Sequence, residues 1–197
     1  MKHRAVFLDR DGTINRDVGY PGDFSQIHIY PFTYEAIRDI DRLGFRAVVV
    51  TNQSGVGRGL ILEESLLDIH RRLRAALDRR RARLDGIFYC PHYIKSADPK
   101  YRRDCSCRKP KPGMALQAAA ALGLDLKASY MIGDHVDDIG FGQAIGATTI
   151  LVLTGHGKRT WAELRRAGPK PDHVSRNVQT AVRWIARREA RSETASG

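Results

Sequence analysis

Asp9 and Asp11 close the apolar run Val6-Phe7-Leu8, and Gly12-Thr13 follows at once. Residues two apart on an extended strand face the same side, so both carboxylates are expected to aim at one point just past the strand's end. One carboxylate can attack while the other moves a proton, and both can hold a hard cation. Two carboxylates with a magnesium ion suit phosphoryl transfer. A phosphate monoester is dianionic and repels a bare carboxylate, and Mg²⁺ between them offsets that repulsion. A lone Asp-x-Asp could equally be a turn or a helix cap. Here the strand context and the Gly-Thr pair favour a site.

A second constellation lies downstream. Cys90-x-His92 and Cys105-x-Cys107 bracket residues 93–104, and these are the chain's only cysteines. Three thiolates and one imidazole in two close pairs suit tetrahedral Zn²⁺ better than a disulfide framework. Four protein ligands leave no open position, so the metal is expected to be structural. The stretch Ser96–Asp104 is polar, and a metal clip would order what cannot pack itself. The bland alternative is three buried thiols and a solvent histidine. A loop so ordered would deliver Arg108 and Lys109 to the carboxylates.

Such groups need a scaffold that gathers distant residues. Apolar runs at Arg4–Leu8, Arg46–Val50, Gly86–Cys90, Ser129–Ile132 and Thr148–Leu153 read as buried strands. Between them, helices are expected at Phe32–Leu43, Leu62–Leu84, Pro112–Leu122 and Asp137–Ile145, with Gly44 and Gly123 as stops. After Gly157 come a helix at Trp161–Arg166, a joint at Pro169–Pro171 and a helix at Val178–Arg188. Strands alternating with helices predict an α/β, doubly wound parallel sheet. Ligands of such sheets gather beyond the carboxyl ends of the strands, where Asp9, Thr51 and Asp134 fall. Residues 1–190 are expected to form one domain and 191–197 a disordered tail.

The 197 residues are 42% hydrophobic and 28% charged, the composition of a globular domain. No apolar stretch approaches the roughly 20 residues of a membrane span. The only apolar run near the start, Ala5–Leu8, leads straight into the acidic pair, so a cleaved signal is not expected and a cytoplasmic monomer is. The net charge of +11 comes largely from arginines at 71–83 and 183–191. These read first as solvated helix faces, and otherwise as steering for an anionic substrate or weak nucleic-acid attraction. No aromatic residues interleave with them, so no stacking platform for a single strand is visible.

Four motifs in order resemble the haloacid dehalogenase (HAD) superfamily of phosphohydrolases: Asp9-Arg10-Asp11-Gly12-Thr13, Thr51-Asn52-Gln53-Ser54-Gly55, Arg108-Lys109-Pro110, and Gly133-Asp134-His135-Val136-Asp137-Asp138. The resemblance implies a Rossmann-like fold. It implies that Asp9 is the nucleophile, forming an aspartyl-phosphate, and that Asp11 protonates the leaving oxygen and then activates water. It assigns Mg²⁺ to the carboxylates of Asp9 and Asp134 and the backbone carbonyl of Asp11. Lys109 and the Thr51 hydroxyl would bind phosphoryl oxygens, where positioned donors count most. Lys111 competes with Lys109, but Arg-Lys-Pro matches Lys109. An acid at Asp11 must hold its proton as the ester departs, so its pKa is expected above the ordinary value of about 3.9. Asp137 and Asp138 either cap a helix or stand behind the metal. His135 replaces a lysine that close relatives show.

Over residues 4–155 the chain looks more narrowly like the D-glycero-D-manno-heptose 1,7-bisphosphate 7-phosphatases. The marks are Asp-Arg-Asp-Gly-Thr-Ile-Asn at 9–15, Gly19-Tyr20, Thr-Asn-Gln-Ser-Gly at 51–55, Arg58-Gly59, the Cys-x-His…Cys-x-Cys loop and Cys107-Arg108-Lys109-Pro110. That resemblance implies no large cap domain. It places substrate contacts at Asp17, Val18, Gly19 and Tyr20, at Thr51, Asn52, Gln53 and Ser54, and at His135. Arg108 would grip the second phosphate in bidentate fashion. The implied product is heptose 1-phosphate, on the way to activated heptose for lipopolysaccharide. Histidinol-phosphate phosphatase is the nearest rival. A nucleic-acid-binding zinc protein or a DNA-end phosphatase is the rival from another class, although no basic recognition helix follows the zinc ligands.

Overall fold

The computed structural model describes residues 2–195. Its strands are β1 (Ala5–Leu8), β2 (Arg46–Asn52), β3 (Gly86–Cys90), β4 (Tyr130–Gly133), β5 (Thr148–Val152) and β6 (His173–Ser175). All pair in parallel, in the order β3-β2-β1-β4-β5-β6. The helices are α1 (Pro31–Arg42), α2 (Ser54–Gly57), α3 (Glu63–Asp78), α4 (Gly113–Leu122), α5 (Val136–Ala144), α6 (Gly157–Arg166) and α7 (Val178–Ala195).

The strands are apolar throughout because both faces are covered. Val6 and Leu8 of β1, with Ala47 and Val49 of β2, pack under Ile37 of α1, Leu73 of α3 and Val182 of α7. Ala5 and Phe7, with Val48 and Val50, face Met114 of α4 and Phe141 of α5. Each of the larger of these side chains stabilises the fold by about 1.5–3 kcal/mol when fully buried, and the alanines by less. The strand order reverses direction between β1 and β4. Loops leaving the two strands diverge there and open a crevice at the carboxyl edge. Residues 9–30 and 91–112 border that edge, and neither stretch carries a helix beyond the turn Phe24–Gln26. A large cap is thus absent among the described residues, in keeping with the expected doubly wound sheet.

Beyond shifts of a residue or two at element ends, the elements differ from expectation in five places, the first being α6, which starts at Gly157 instead of Trp161. The long basic helix ends at Asp78 instead of Leu84. The chain turns there with Arg81 at φ 56°, and Ala82 and Leu84 reach the same core from a loop, which prolongs the apolar rhythm past the helix. The sheet gains β6, only three residues long and therefore without a readable period. The four-residue α2 is too short to show one either. Finally, α7 runs to Ala195, so helix occupies most of the stretch expected to be a disordered tail. Residues 196–197 lie outside the described residues.

Candidate active site

Asp9 follows β1 and Asp134 follows β4, so the two strands flanking the reversal each end in a carboxylate. They line a cleft of about 380 Å³, together with Asp11, Thr51, Arg108 and Lys109. The oxygens of Asp9, Asp134 and Asp138 lie within 4.8 Å of one another, and all three residues are buried. Burial pushes the Asp9 carboxyl up to about 7; the Lys109 ammonium pulls against it, and the Asp138 and Asp11 carboxylates add to the rise. Burial followed by Asp9 and Asp138 pushes Asp134 up to about 8. Room for the Asp134 carboxylate exists because its neighbours lack side chains. A Cβ on Gly12 (φ +82°) would stand 2.2 Å from its Oδ2, and one on Gly155 (φ +52°) 2.1 Å.

Lys109, only 3% exposed, supplies the one ammonium among these carboxylates. Its Nζ lies 2.6 Å from both Asp9 Oδ1 and Asp138 Oδ1 and donates to the Val50 carbonyl at 2.9 Å. Asn52 fixes its backbone, accepting from the Lys109 N–H at 3.0 Å and donating to its carbonyl at 3.2 Å. Asn52 lines the cleft as expected, and its amide is spent on the lysine. Lys111 instead pairs with Asp104 on the surface, away from these carboxylates. Asp138 takes the capping alternative: one oxygen accepts the His135 N–H at 2.9 Å as a cap of α5, while the other holds Lys109.

Asp11 departs from expectation. Its Oδ1 accepts from Arg10 Nε at 3.0 Å and Asn15 Nδ2 at 2.9 Å, and its Oδ2 from Arg10 Nη2 at 2.7 Å and Gln53 Nε2 at 2.8 Å. Burial alone would raise its carboxyl. The Arg10 charge and these hydrogen bonds outweigh burial and hold it below the ordinary value. The expected elevation is absent because the Arg10 guanidinium lies directly against the carboxylate. The Asp11 side chain also stands apart from the cluster of Asp9, Asp134 and Asp138.

Gln53 Nε2 also donates to Thr51 Oγ1 at 2.9 Å, tying that hydroxyl to the acidic pair. Asp17, Gly19, Tyr20, Ser54 and His135 line the cleft as expected. Val18 does not: it is 41% exposed and turned out of the cleft by the bend that Asp17 makes in accepting the Gly19 N–H. Three contributors escaped the sequence reading. Arg58 lines the cleft, its guanidinium 3.9 Å from the Tyr93 ring centre. His156 donates its backbone N–H to Asp134 at 2.6 Å, and its Nε2 lies 3.0 Å from Asp17 Oδ2. Arg10 is fully buried behind Asp11. The Asp-Arg-Asp spelling held the signal for Arg10, whereas His156 sits in a loop with no motif around it.

Cys90, His92, Cys105 and Cys107 converge, with donor atoms within 4.8 Å of one another. Cys90 Sγ lies 3.4 Å from Cys105 Sγ and 3.2 Å from Cys107 Sγ, while His92 Nδ1 lies 3.2 Å from Cys107 Sγ. Hydrogen bonding from Cys90 pulls the Cys107 thiol down to about 5, while the bond to Cys107 and burial push Cys90 up. Thiols this close cannot all ionise without a cation. A divalent ion fits the donor set and its spacing. The intervening loop is better packed than its polar composition suggested. Tyr101 lies against Val56, Ile61 and Leu66, and Lys100 and Tyr101 each reach Glu63 at 2.8 Å.

Residues 106–181 match a family model described as HAD-hydrolase-like. A D-glycero-beta-D-manno-heptose-1,7-bisphosphate 7-phosphatase from Photorhabdus laumondii is 42% identical over 160 residues, 81% of this chain and 85% of that one. Its namesake from Pasteurella multocida is 42% identical over 153 residues, 77% of this chain and 83% of that one. Among solved structures, the D,D-heptose 1,7-bisphosphate phosphatase of B. bronchiseptica, complexed with magnesium and phosphate, matches with a TM-score of 0.82. It is 29% identical and covers 94% of this chain and 99% of its own. The corresponding protein from Burkholderia thailandensis matches with a TM-score of 0.68 at 28% identity, covering 93% and 98%.

Proposed function

Since the chain belongs to the HAD-type heptose 1,7-bisphosphate 7-phosphatases, we propose that it hydrolyses the 7-phosphate of D-glycero-D-manno-heptose 1,7-bisphosphate. The observation that carries the reading is the buried Asp9–Lys109–Asp138 array beside Asp134. Three crowded carboxylates and one ammonium leave net negative charge in a cleft, which suits a divalent cation and then an anionic ester.

Asp9 is the nucleophile. Lys109 orients it and meets a phosphoryl oxygen, and the Thr51 hydroxyl meets another. Mg²⁺ held by the Asp9 and Asp134 carboxylates and the Asp11 carbonyl would supply charge neutralisation between ester and nucleophile. Asp11 donates a proton to the departing sugar oxygen and later takes one from water, which requires the arriving dianion to raise its proton affinity. Arg108, at the rim, has a buried Nη1 without a hydrogen-bond partner. That orphaned donor fits the second phosphate. Zn²⁺ on Cys90, His92, Cys105 and Cys107 would brace the segment that carries Arg108 and Lys109. Heptose 1-phosphate made in the cytoplasm, as a precursor for lipopolysaccharide, is the setting this reading implies.

The test is phosphate release from the β and α anomers of the heptose bisphosphate, from histidinol phosphate and from 3′-phosphorylated DNA, with and without Mg²⁺. The heptose bisphosphate is expected to show the highest kcat/KM, and only with Mg²⁺. A higher value for histidinol phosphate or for DNA ends would overturn the substrate assignment.

A further inference from the structure

Arg10 is a guanidinium with no exposure to solvent. Burying such a group is costly, and a buried ion pair is weak evidence of a stabilising role. Its partners suggest another purpose. The guanidinium makes three hydrogen bonds: Nε and Nη2 grip the two oxygens of Asp11 as a fork, and Nη1 meets His70 Nε2 at 3.1 Å. Guanidinium nitrogens only donate, so His70 Nε2 must accept, and the imidazole carries its proton on Nδ1. His70 comes from α3 and is itself buried, its ring edge-on to Tyr89 at 5.5 Å. Tyr89 OH in turn donates to Glu63 at 3.1 Å. A rigid helix thus holds an imidazole, the imidazole holds a guanidinium, and the guanidinium holds the carboxylate assigned to proton transfer.

We propose that Arg10 and His70 are positioning residues for proton transfer by Asp11: the fork fixes the orientation of its carboxylate, and His70 fixes the fork. This rests on the reading of Asp11 as the acid in the proposed reaction. Asn15 and Gln53 fill the remaining lone-pair sites of the carboxylate. The fork is bidentate and closed off from solvent, so it sets the plane, while Gln53, which lines the cleft, is the donor placed to yield when an ester enters.

A positioned acid matters in proportion to how poor the leaving group is. A sugar alkoxide needs its proton, whereas p-nitrophenolate leaves without one. The experiment compares kcat/KM, which reports only steps up to departure of the leaving group, for heptose 1,7-bisphosphate and p-nitrophenyl phosphate. The enzymes are wild type, Arg10→Lys, His70→Leu, His70→Gln and Asp11→Asn. Lysine keeps the charge and loses the fork, leucine removes the acceptor, and glutamine can present an oxygen where Nε2 stands. Arg10→Lys and His70→Leu are expected to lose about 30- to 100-fold on the sugar ester and less than about threefold on the aryl ester. His70→Gln should remain within about threefold of wild type on both. Equal losses on the two esters, or no loss on either, would overturn the inference. Asp11→Asn separates the layers: if it shows no such split, the reading of Asp11 itself has failed. If it shows the split and Arg10→Lys does not, only the positioning role has. For variants that fold poorly, ¹⁵N NMR of the wild-type histidines provides an independent test. His70 protonated on Nε2 instead of Nδ1 would break the chain at its second link.

Discussion

Asp9 sits where its own charge is unwelcome, since burial and two neighbouring carboxylates outweigh the Lys109 ammonium and favour its neutral form. Asp9→Asn should therefore abolish phosphate release, by on the order of 10⁴-fold or more, while the melting temperature in Mg²⁺-free buffer stays level or rises. Appreciable turnover with normal melting would assign the attack to another group. Gly12 yields a second residue-level prediction. Gly12→Ala puts a methyl against the Asp134 carboxylate in a backbone conformation that alanine resists. Mg²⁺ titration of activity should show affinity weakened by about tenfold or more. His70 provides a pH signature. Burial, and then the Arg10 charge, push its pKa down to about 3 from the ordinary 6.5. The folded protein keeps it neutral while the unfolded chain takes up a proton below pH 6.5. The stabilisation is complete above pH 6.5 and is lost as pH falls toward 3, at up to about 1.4 kcal/mol per pH unit. Urea unfolding at pH 7 and pH 5 should show this loss in wild type and a smaller one in His70→Gln.

At the scale of elements, two devices hold the site from outside it. The loop 91–107 combines the Cys-His cluster with Tyr101 and Lys100 anchored on Glu63. Cys107→Ser should release zinc, speed proteolysis within the loop and lower activity, because Arg108 and Lys109 follow directly. The anchoring at Glu63 should keep part of the loop in place, so the remainder of the protein resists cleavage. Zinc retained at full stoichiometry in that variant would contradict the ligand set. The other device is α7, which closes the face opposite α4 and α5. Ile185 is fully buried there, and Ile185→Ala should cost about 2–5 kcal/mol of stability with little change in KM, as chemical denaturation and kinetics can report.

For the whole molecule, the charge of +11 contrasts with the acidic floor of the cleft. If the arginines on α3 and α7 steer anionic esters, the effect must be long-range and sensitive to salt. Several are tied to nearby acids, as Arg71 and Arg72 are to Asp68. Raising ionic strength from about 0.02 M to 0.3 M should lower kcat/KM for the bisphosphate severalfold and leave kcat nearly unchanged. Filter binding to single-stranded DNA should vanish by about 0.15 M salt. Specific retention there would revive a nucleic-acid role. No helix among the described residues is long and apolar enough to cross a membrane.

Local chemistry in the sequence determined a great deal. Asp-x-Asp after an apolar run, the Cys-x-His and Cys-x-Cys pairs and the alternation of strands with helices are short-range patterns, legible because spacing on a strand or in a loop sets direction. Five of the six strands and the gathering of positions 9, 51, 109 and 134 followed from them. Tertiary structure alone decided that Asn52 serves Lys109, that Val18 turns away, that α3 ends before Arg79 and that Arg10, backed by His70, grips Asp11. Some of these turn on partners tens of residues apart, as Asn52 with Lys109 and Arg10 with His70, and others on a short turn such as Asp17 with Gly19. Hydrogen-bond partners and the local field, unlike strand direction, are properties of the packed chain and leave no period to read.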